Sequence, residues 1–377
     1  MNEKIARFLA EQQPATPCLV VDLDIVEENF RSLTAALPDA KIYYAVKANP
    51  APEILSLLNA KGSSFDTASV PEIEMALAAG APPERISFGN TIKKQRDIAK
   101  AYELGVRLFA FDSIEELDKI AESAPGSRVF CRILTSGEGA EWPLSRKFGC
   151  DPSMARQLLI AASQKGVVPY GVSFHVGSQQ KDPTQWDTAL RTVAEMFRDL
   201  EALGITLGMV NLGGGFATRY RTDVPEAETY GMTILESLRH HFGNRLPETI
   251  VEPGRSMVGN AGVIQSEVVL ISRKSANDNR RWVYLDIGKF GGLAETMDEA
   301  IQYPIMTPRD GSGDAEGVIL AGPTCDSADV LYEKADYQLP LDLRIGDLVQ
   351  IHSAGAYTTT YASVNFNGFS PLSQYYI

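Results

Sequence analysis

Four stretches of this chain carry residue types that do chemistry, and each ends a run of strand-forming residues. The first is Ile42-Tyr43-Tyr44-Ala45-Val46-Lys47-Ala48-Asn49-Pro50. Its apolar run delivers a lone lysine, and Asn-Pro then breaks the strand because proline restricts the residue before it and has no N–H for a ladder. Lysine is rarely buried unless it is paired or reactive. In partly apolar surroundings it loses its proton readily and can form a Schiff base with an aldehyde cofactor. A surface lysine capping a strand end is the plain alternative.

The second stretch is Leu212-Gly213-Gly214-Gly215-Phe216. Three glycines let backbone N–H groups approach an anion closely, so a phosphate is the natural ligand. The pattern is neither G-x-G-x-x-G nor a Walker loop. The third, Glu252-Pro253-Gly254-Arg255, offers an arginine to the same phosphate and a carboxylate at a strand end. That carboxylate either pairs with Arg255 or keeps a pyridine nitrogen protonated, making the ring an electron sink. The fourth is Val172-Ser173-Phe174-His175-Val176-Gly177-Ser178. Its histidine is either a satisfied core residue or a flat contact for an aromatic cofactor, with Ser178 near the phosphate. Asp66, in Phe65-Asp66-Thr67, is either a partner for Lys47 or a helix cap, and Glu72 on the next helix turn is a second candidate to orient that lysine. A Schiff-base lysine, a phosphate cup, a carboxylate and a histidine together imply pyridoxal 5′-phosphate.

The elements that must position these residues come from the rest of the chain. Its 377 residues exceed the size at which one core usually stops growing, so two domains are expected. A net charge of −13 disfavours nucleic acid, which requires a basic stripe. Cys18, Cys131, Cys150 and Cys325 are scattered, and no histidine spacing suggests a metal, so neither a disulfide framework nor a metal site is expected. Charges run through the first residues, where a signal peptide would have an apolar core, and no stretch is long and apolar enough for a membrane span. A cytoplasmic location follows as the expectation.

Asp24 reads as the cap of a helix running to Leu37. Strands are expected over 42–46, 63–66, 85–88, 107–111, 128–134, 170–175, 207–212 and 249–252, with helices between them, such as 70–79 and 113–123. Eight such units fit a (β/α)8 TIM barrel spanning residues 25–255. The reactive residues fall at the C-terminal ends of several strands, as in barrel enzymes, whereas a doubly wound sheet would gather them at one switch point. Beyond Arg255 the texture becomes β-branched with turns. Strands over 262–272, 281–286, 316–321 and 348–353 predict a mostly β second domain, made of 256–377 with 1–24.

The motifs quoted above resemble those of the alanine-racemase-fold decarboxylases that use pyridoxal phosphate. Gly322-Pro323-Thr324-Cys325-Asp326-Ser327, Gly355-Ala356-Tyr357-Thr358 and Phe366-Asn367-Gly368-Phe369 resemble the ornithine/lysine decarboxylase branch, and the length resembles its bacterial-type members. The resemblance covers nearly the whole chain. It implies a homodimer with sites shared across the interface and a cationic amino acid, ornithine or lysine, as substrate, in polyamine (putrescine) biosynthesis. It implies that Tyr357 touches the phosphate, that Cys325 handles a proton after carbon dioxide leaves, and that Asp326, with Phe366 nearby, binds the substrate. Diaminopimelate enzymes typically have Cys-Glu where this chain has Cys325-Asp326. Two further readings are a carboxynorspermidine-type decarboxylase and a non-catalytic, decarboxylase-like regulator. The segment Gly291–Glu299 departs from the eukaryotic pattern. Its Glu295, Asp298 and Glu299 lie at helical neighbour spacing and form either an acidic wall for a terminal ammonium or a solvated helix face. Arg146 is a further candidate for the cofactor.

Overall fold

The computed structural model describes residues 2–142 and 147–377. Its chain divides into two compact units, one of Glu27–Ala217 with Val224–Met257, the other of Met1–Val26, Thr218–Asp223 and Val258–Ile377.

The first unit is a closed barrel of eight strands. In chain order they are Ala40–Ala45, Ser64–Thr67, Ile86–Phe88, Leu108–Phe111, Arg128–Arg132, Val168–Ser173, Met209–Asn211 and Glu248–Val251, all paired in parallel. Ser64–Thr67 and Leu108–Phe111 are buried at every position. That is why these strands read as continuous runs rather than alternations: helices cover one face and the barrel interior the other. One core layer holds Tyr43, Leu108, Ala110, Phe130, Met209 and Ile250. Helices enter where the sequence signals them. The Ser69 hydroxyl accepts the Glu72 N–H at 3.4 Å and Ser113 the Glu116 N–H at 3.3 Å. Glu116 does not complete a capping box, however. It is buried and pairs with Lys93 at 3.0 Å and Lys119 at 2.5 Å.

The second unit is an eight-stranded, mostly antiparallel sheet. Its long strand Gly262–Ser272 pairs with Leu348–His352, Arg281–Leu285 and Cys18–Val21. Cys18–Val21 therefore joins this sheet, as the sequence suggests. Asp22, not Asp24, caps the helix Leu23–Ala36, because Asp22 Oδ1 accepts the Asp24 N–H at 3.0 Å. Val330–Pro340 is a strand that the sequence pattern does not announce. Register shifts against Ala315–Ala321 break its alternation, and Glu333, Lys334 and Asp336 interrupt its apolar pattern.

The acidic segment is not one helix. Ala294–Glu299 kinks at Met297 and Asp298, and both Asp298 and Glu299 have left-handed backbone. The three acids consequently share no face. Glu295 is buried, Asp298 is exposed, and Glu299 spends its carboxylate on the N–H groups of Glu333, Lys334 and Ala335 at 2.8, 2.8 and 2.6 Å. Among the described residues no helix is long and apolar enough to cross a membrane.

Candidate active site

The barrel unit gathers its chemistry at the C-terminal ends of its strands. The first strand stops at Ala45, whose N–H donates to Pro253 O at 3.0 Å, which ties the lysine strand to the Glu252–Arg255 turn. Val46–Ala48 form a single 3-10 turn, and within it Val46 and Ala48 are buried while Lys47 is exposed. The lysine thus stands just past the strand end, as its sequence position suggests, on a turn whose neighbours are buried.

Asp66 ends the second strand as a buried acid, its Oδ1 accepting the Ser87 hydroxyl at 3.1 Å. Ser69, not Asp66, caps the following helix. Gly89 packs so tightly against Asp66 that a Cβ there would fall 1.9 Å from Oδ1. Burial, and then the charge of Glu252, push the Asp66 carboxyl well above its usual range, against the pull of Lys47. Glu72 is also raised by burial, and its Oε2 accepts the Ala68 N–H at 2.7 Å.

Beyond the sixth strand, His175 Nδ1 accepts the Gly177 N–H at 3.0 Å, which leaves the ring proton of the neutral form on Nε2. Burial, and then the positive charges of Arg132 and Lys47, push His175 well below its ordinary value, so the ring is neutral near pH 7. A neutral ring suits flat contact with another ring. Ser178 follows, and its hydroxyl is 3.4 and 3.3 Å from two guanidinium nitrogens of the buried Arg255.

The glycine turn has two reasons to be glycine. Gly213 and Gly215 adopt positive φ of 66° and 103°. In addition, Cβ atoms at 213, 214 and 215 would lie 2.3, 2.5 and 2.5 Å from the carbonyls of Phe174, Glu252 and Gly177. The turn is a crossing point of three strand-end loops as well as a nest of N–H groups. Gly254 sits in the next loop, its carbonyl accepting the Met257 N–H at 3.0 Å.

Two residues of this mouth carry no signal of their own in the sequence reading. Arg132 ends the fifth strand, and its charge is coupled to Glu252, Asp112 and Asp66. Asn211 ends the seventh and donates to Glu252 Oε1. Both stand at strand ends, the same positional signal that singles out Lys47. Arg146 lies outside the described residues.

The sheet unit holds the remaining candidates. Cys325 and Asp326 are exposed neighbours on one loop. Asn367 Oδ1 accepts the Cys325 N–H at 3.0 Å, and Asp326 Oδ1 accepts the Ala328 N–H at 2.8 Å. Beneath them the buried Asp329 accepts from the Thr324 hydroxyl at 2.7 Å, the Thr324 N–H at 3.1 Å and the Lys289 N–H at 2.8 Å. The loop base is therefore rigid while its reactive pair stays open. Phe366 packs on Phe290 with ring centroids 4.6 Å apart. Tyr357 has left-handed backbone, φ 55°, a strain that recurs at functional positions.

The barrel residues fit pyridoxal 5′-phosphate. Ser178, Arg255 and the glycine turn suit its phosphate, Glu252 its ring nitrogen, His175 its ring face and Lys47 its aldehyde.

Comparison with known proteins agrees. Residues 23–259 match the family model described as the pyridoxal-binding domain of pyridoxal-dependent decarboxylases. The chain is 36% identical over 374 residues to the lysine/ornithine decarboxylase of Selenomonas ruminantium, covering 98% of this chain and 91% of that one. It is 33% identical over 379 residues to the ornithine decarboxylase of Schizosaccharomyces pombe, covering 97% and 85%. The crystal structure of the lysine/ornithine decarboxylase from Vibrio vulnificus complexed with cadaverine superimposes with a TM-score of 0.90 at 30% identity, covering 100% of this chain and 99% of that one. With its barrel, its cofactor-binding mouth and this similarity along its whole length, the chain belongs to the pyridoxal-dependent decarboxylases and is a carboxy-lyase.

Proposed function

We propose that the enzyme decarboxylates an amino acid with a cationic side-chain end, L-ornithine or L-lysine, giving putrescine or cadaverine. The observation that carries this reading is the exposed Cys325–Asp326 pair on its rigid loop. An open carboxylate beside an open thiol offers a site for a distal ammonium next to a proton donor. In support, the Vibrio relative is complexed with cadaverine in one crystal structure and putrescine in another.

In this reading residues 25–255 form the cofactor domain, and 1–24 with 256–377 the β-domain. Lys47 attaches the cofactor, and Asp66 and His175 frame its ring. Ser178, Gly213, Gly214, Gly215, Gly254, Arg255 and Tyr357 hold its phosphate, while Glu252 keeps its ring nitrogen protonated. Bound there, pyridoxal phosphate supplies an aldehyde for the substrate amine and a ring that accepts the electron pair left when carbon dioxide departs. The Cα–carboxylate bond breaks, and Cys325 returns one proton to Cα to complete the amine. Asp326 takes the distal ammonium, and Phe366 and Glu295 shape the far end. The location is the cytoplasm.

A carbon dioxide release assay over ornithine, lysine, diaminopimelate and arginine tests the substrate class. Turnover of ornithine or lysine is expected to dominate, and Asp326→Asn should raise KM for it more than it lowers kcat. Preference for diaminopimelate would overturn the assignment.

The enzyme acts as a homodimer in which Cys325 of one subunit serves Lys47 of the other. Lys47→Ala and Cys325→Ala proteins, each nearly inactive, should on subunit exchange recover roughly a quarter of wild-type activity. Random pairing makes about half the dimers mixed, each with one intact site. Exchange demonstrated by mass, with activity still absent, would place each complete site within one subunit.

A further inference from the structure

Asn211 is the last residue of the seventh barrel strand and is 1% exposed. Its amide makes two bonds in different directions. Oδ1 accepts the Gly213 N–H at 2.9 Å, and Nδ2 donates to Glu252 Oε1. The backbone repeats the link, with the Glu252 N–H donating to Gly213 O at 2.8 Å. The first bond settles which way the amide faces. A backbone N–H requires the oxygen, so the nitrogen must meet the carboxylate. One buried side chain therefore ties the anion-binding turn to the acid, and these two groups serve opposite ends of one ligand.

We propose that Asn211 is a positioning residue, whose amide N–H holds the Glu252 carboxylate in the orientation that receives the ring nitrogen of the cofactor. The proposal rests on the role given to Glu252 above. The physical need is clear from the surroundings. The titratable and charged groups described at this mouth include Lys47 after the first strand, Asp66 and Glu72 at the second, Asp112 after the fourth, Arg132 at the fifth, the neutral His175 after the sixth and Arg255 after the eighth. Arg132 would draw the Glu252 carboxylate towards itself, and the buried Asp66 lies near enough to feel its charge. A neutral donor fixed by its own second bond orients the acid without adding charge.

The test uses Asn211→Asp. The new carboxylate still accepts the Gly213 N–H, but when ionised it cannot donate to Glu252. Binding of pyridoxal phosphate and of unphosphorylated pyridoxal to cofactor-stripped protein is measured by absorbance. Both should weaken by the same factor, about tenfold, because they share the ring end. The deficit should shrink as pH falls, since the introduced carboxyl regains a proton and with it a donor. Unchanged binding, or a loss confined to pyridoxal phosphate, would mean that Asn211 serves only the glycine turn, and would overturn the proposal. Should Asn211→Asp fail to fold, Asn211→Ser replaces it, because its hydroxyl can accept from Gly213 but is too short to reach Glu252.

A Glu252→Gln background separates the two ideas. There the Asn211→Asp deficit should vanish. If Glu252→Gln alone leaves binding of both ligands and the pH dependence of their spectra unchanged, the role of Glu252 itself is wrong. If Glu252→Gln weakens binding but Asn211→Asp does not, only the positioning role falls.

Discussion

Lys47 and Lys93 both lie just past the end of a barrel strand, and the structure treats them in opposite ways. The Lys93 side chain is 0% exposed. Its ammonium donates to Asn90 O at 2.7 Å and to Ala110 O at 2.6 Å, and it forms an ion pair with Glu116 Oε1 at 3.0 Å. Burial pushes its pKa down to about 8, against the opposing charge of Glu116. Lys47 is exposed on a turn whose flanking residues are buried, and its charge acts on Asp66, Glu72 and His175. The difference teaches that a depressed lysine pKa alone does not mark a nucleophile. Lys93 pins the loop after the third strand to the fourth strand and to the helix Ile114–Ser123. Lys47 instead stands open, with only its neighbours in the turn buried.

The contrast breaks most visibly at Lys47. Lys47→Ala should lose all measurable decarboxylation and all borohydride-reducible attachment of the cofactor. Its unfolding free energy should stay within about 0.5 kcal/mol of wild type, as for a surface substitution. Peptide mapping after borohydride treatment decides the matter. Label on another lysine, Lys93 above all, would invert the comparison.

At the pin the expected loss is of stability. Lys93→Met leaves the Glu116 carboxylate buried with Lys119 as its remaining cation, and removing one partner of such a pair costs about 3 kcal/mol. Urea unfolding should show that loss, while turnover per folded molecule at low temperature stays near wild type. A loss under about 1 kcal/mol, or a drop in turnover without one in stability, would mean Lys93 is no pin.

How far the sequence could be read follows the same division between local and distant causes. The barrel strands were legible because double-sided burial makes them unbroken apolar runs, such as Leu108–Phe111. Lys47, His175, Gly213 and Glu252 were legible because standing at a strand end is a local property. The burial of Lys93 was not, since Glu116 and the Ala110 carbonyl create it from other elements. Asn211 was passed over because its meaning comes from Glu252, far along the chain. The helical spacing of Glu295, Asp298 and Glu299 did not carry over into a shared face, because spacing says nothing of backbone hand, and left-handed residues at 298 and 299 turn Glu299 towards the strand Val330–Pro340.

The smallest effect concerns pH and belongs to the mouth, where two buried groups shift in opposite senses. Asp66, whose usual value is 3.8, is raised well above it, so between about pH 4 and that raised value the folded chain holds a proton that the unfolded chain has released. Stability due to Asp66 therefore falls as pH rises through this window. His175, usually 6.5, is lowered well below it, so up to pH 6.5 the unfolded chain holds a proton that the folded chain lacks. Stability due to His175 rises with pH and is complete above 6.5. Where the windows overlap the two slopes oppose each other. Asp66→Asn removes the falling one, and cofactor-free protein should then gain stability more steeply between about pH 4.5 and 6.5, by up to about 1.4 kcal/mol per pH unit for one proton. Urea midpoints at several pH values measure this directly. Parallel profiles for Asp66→Asn and wild type would show that Asp66 does not hold its proton across this window.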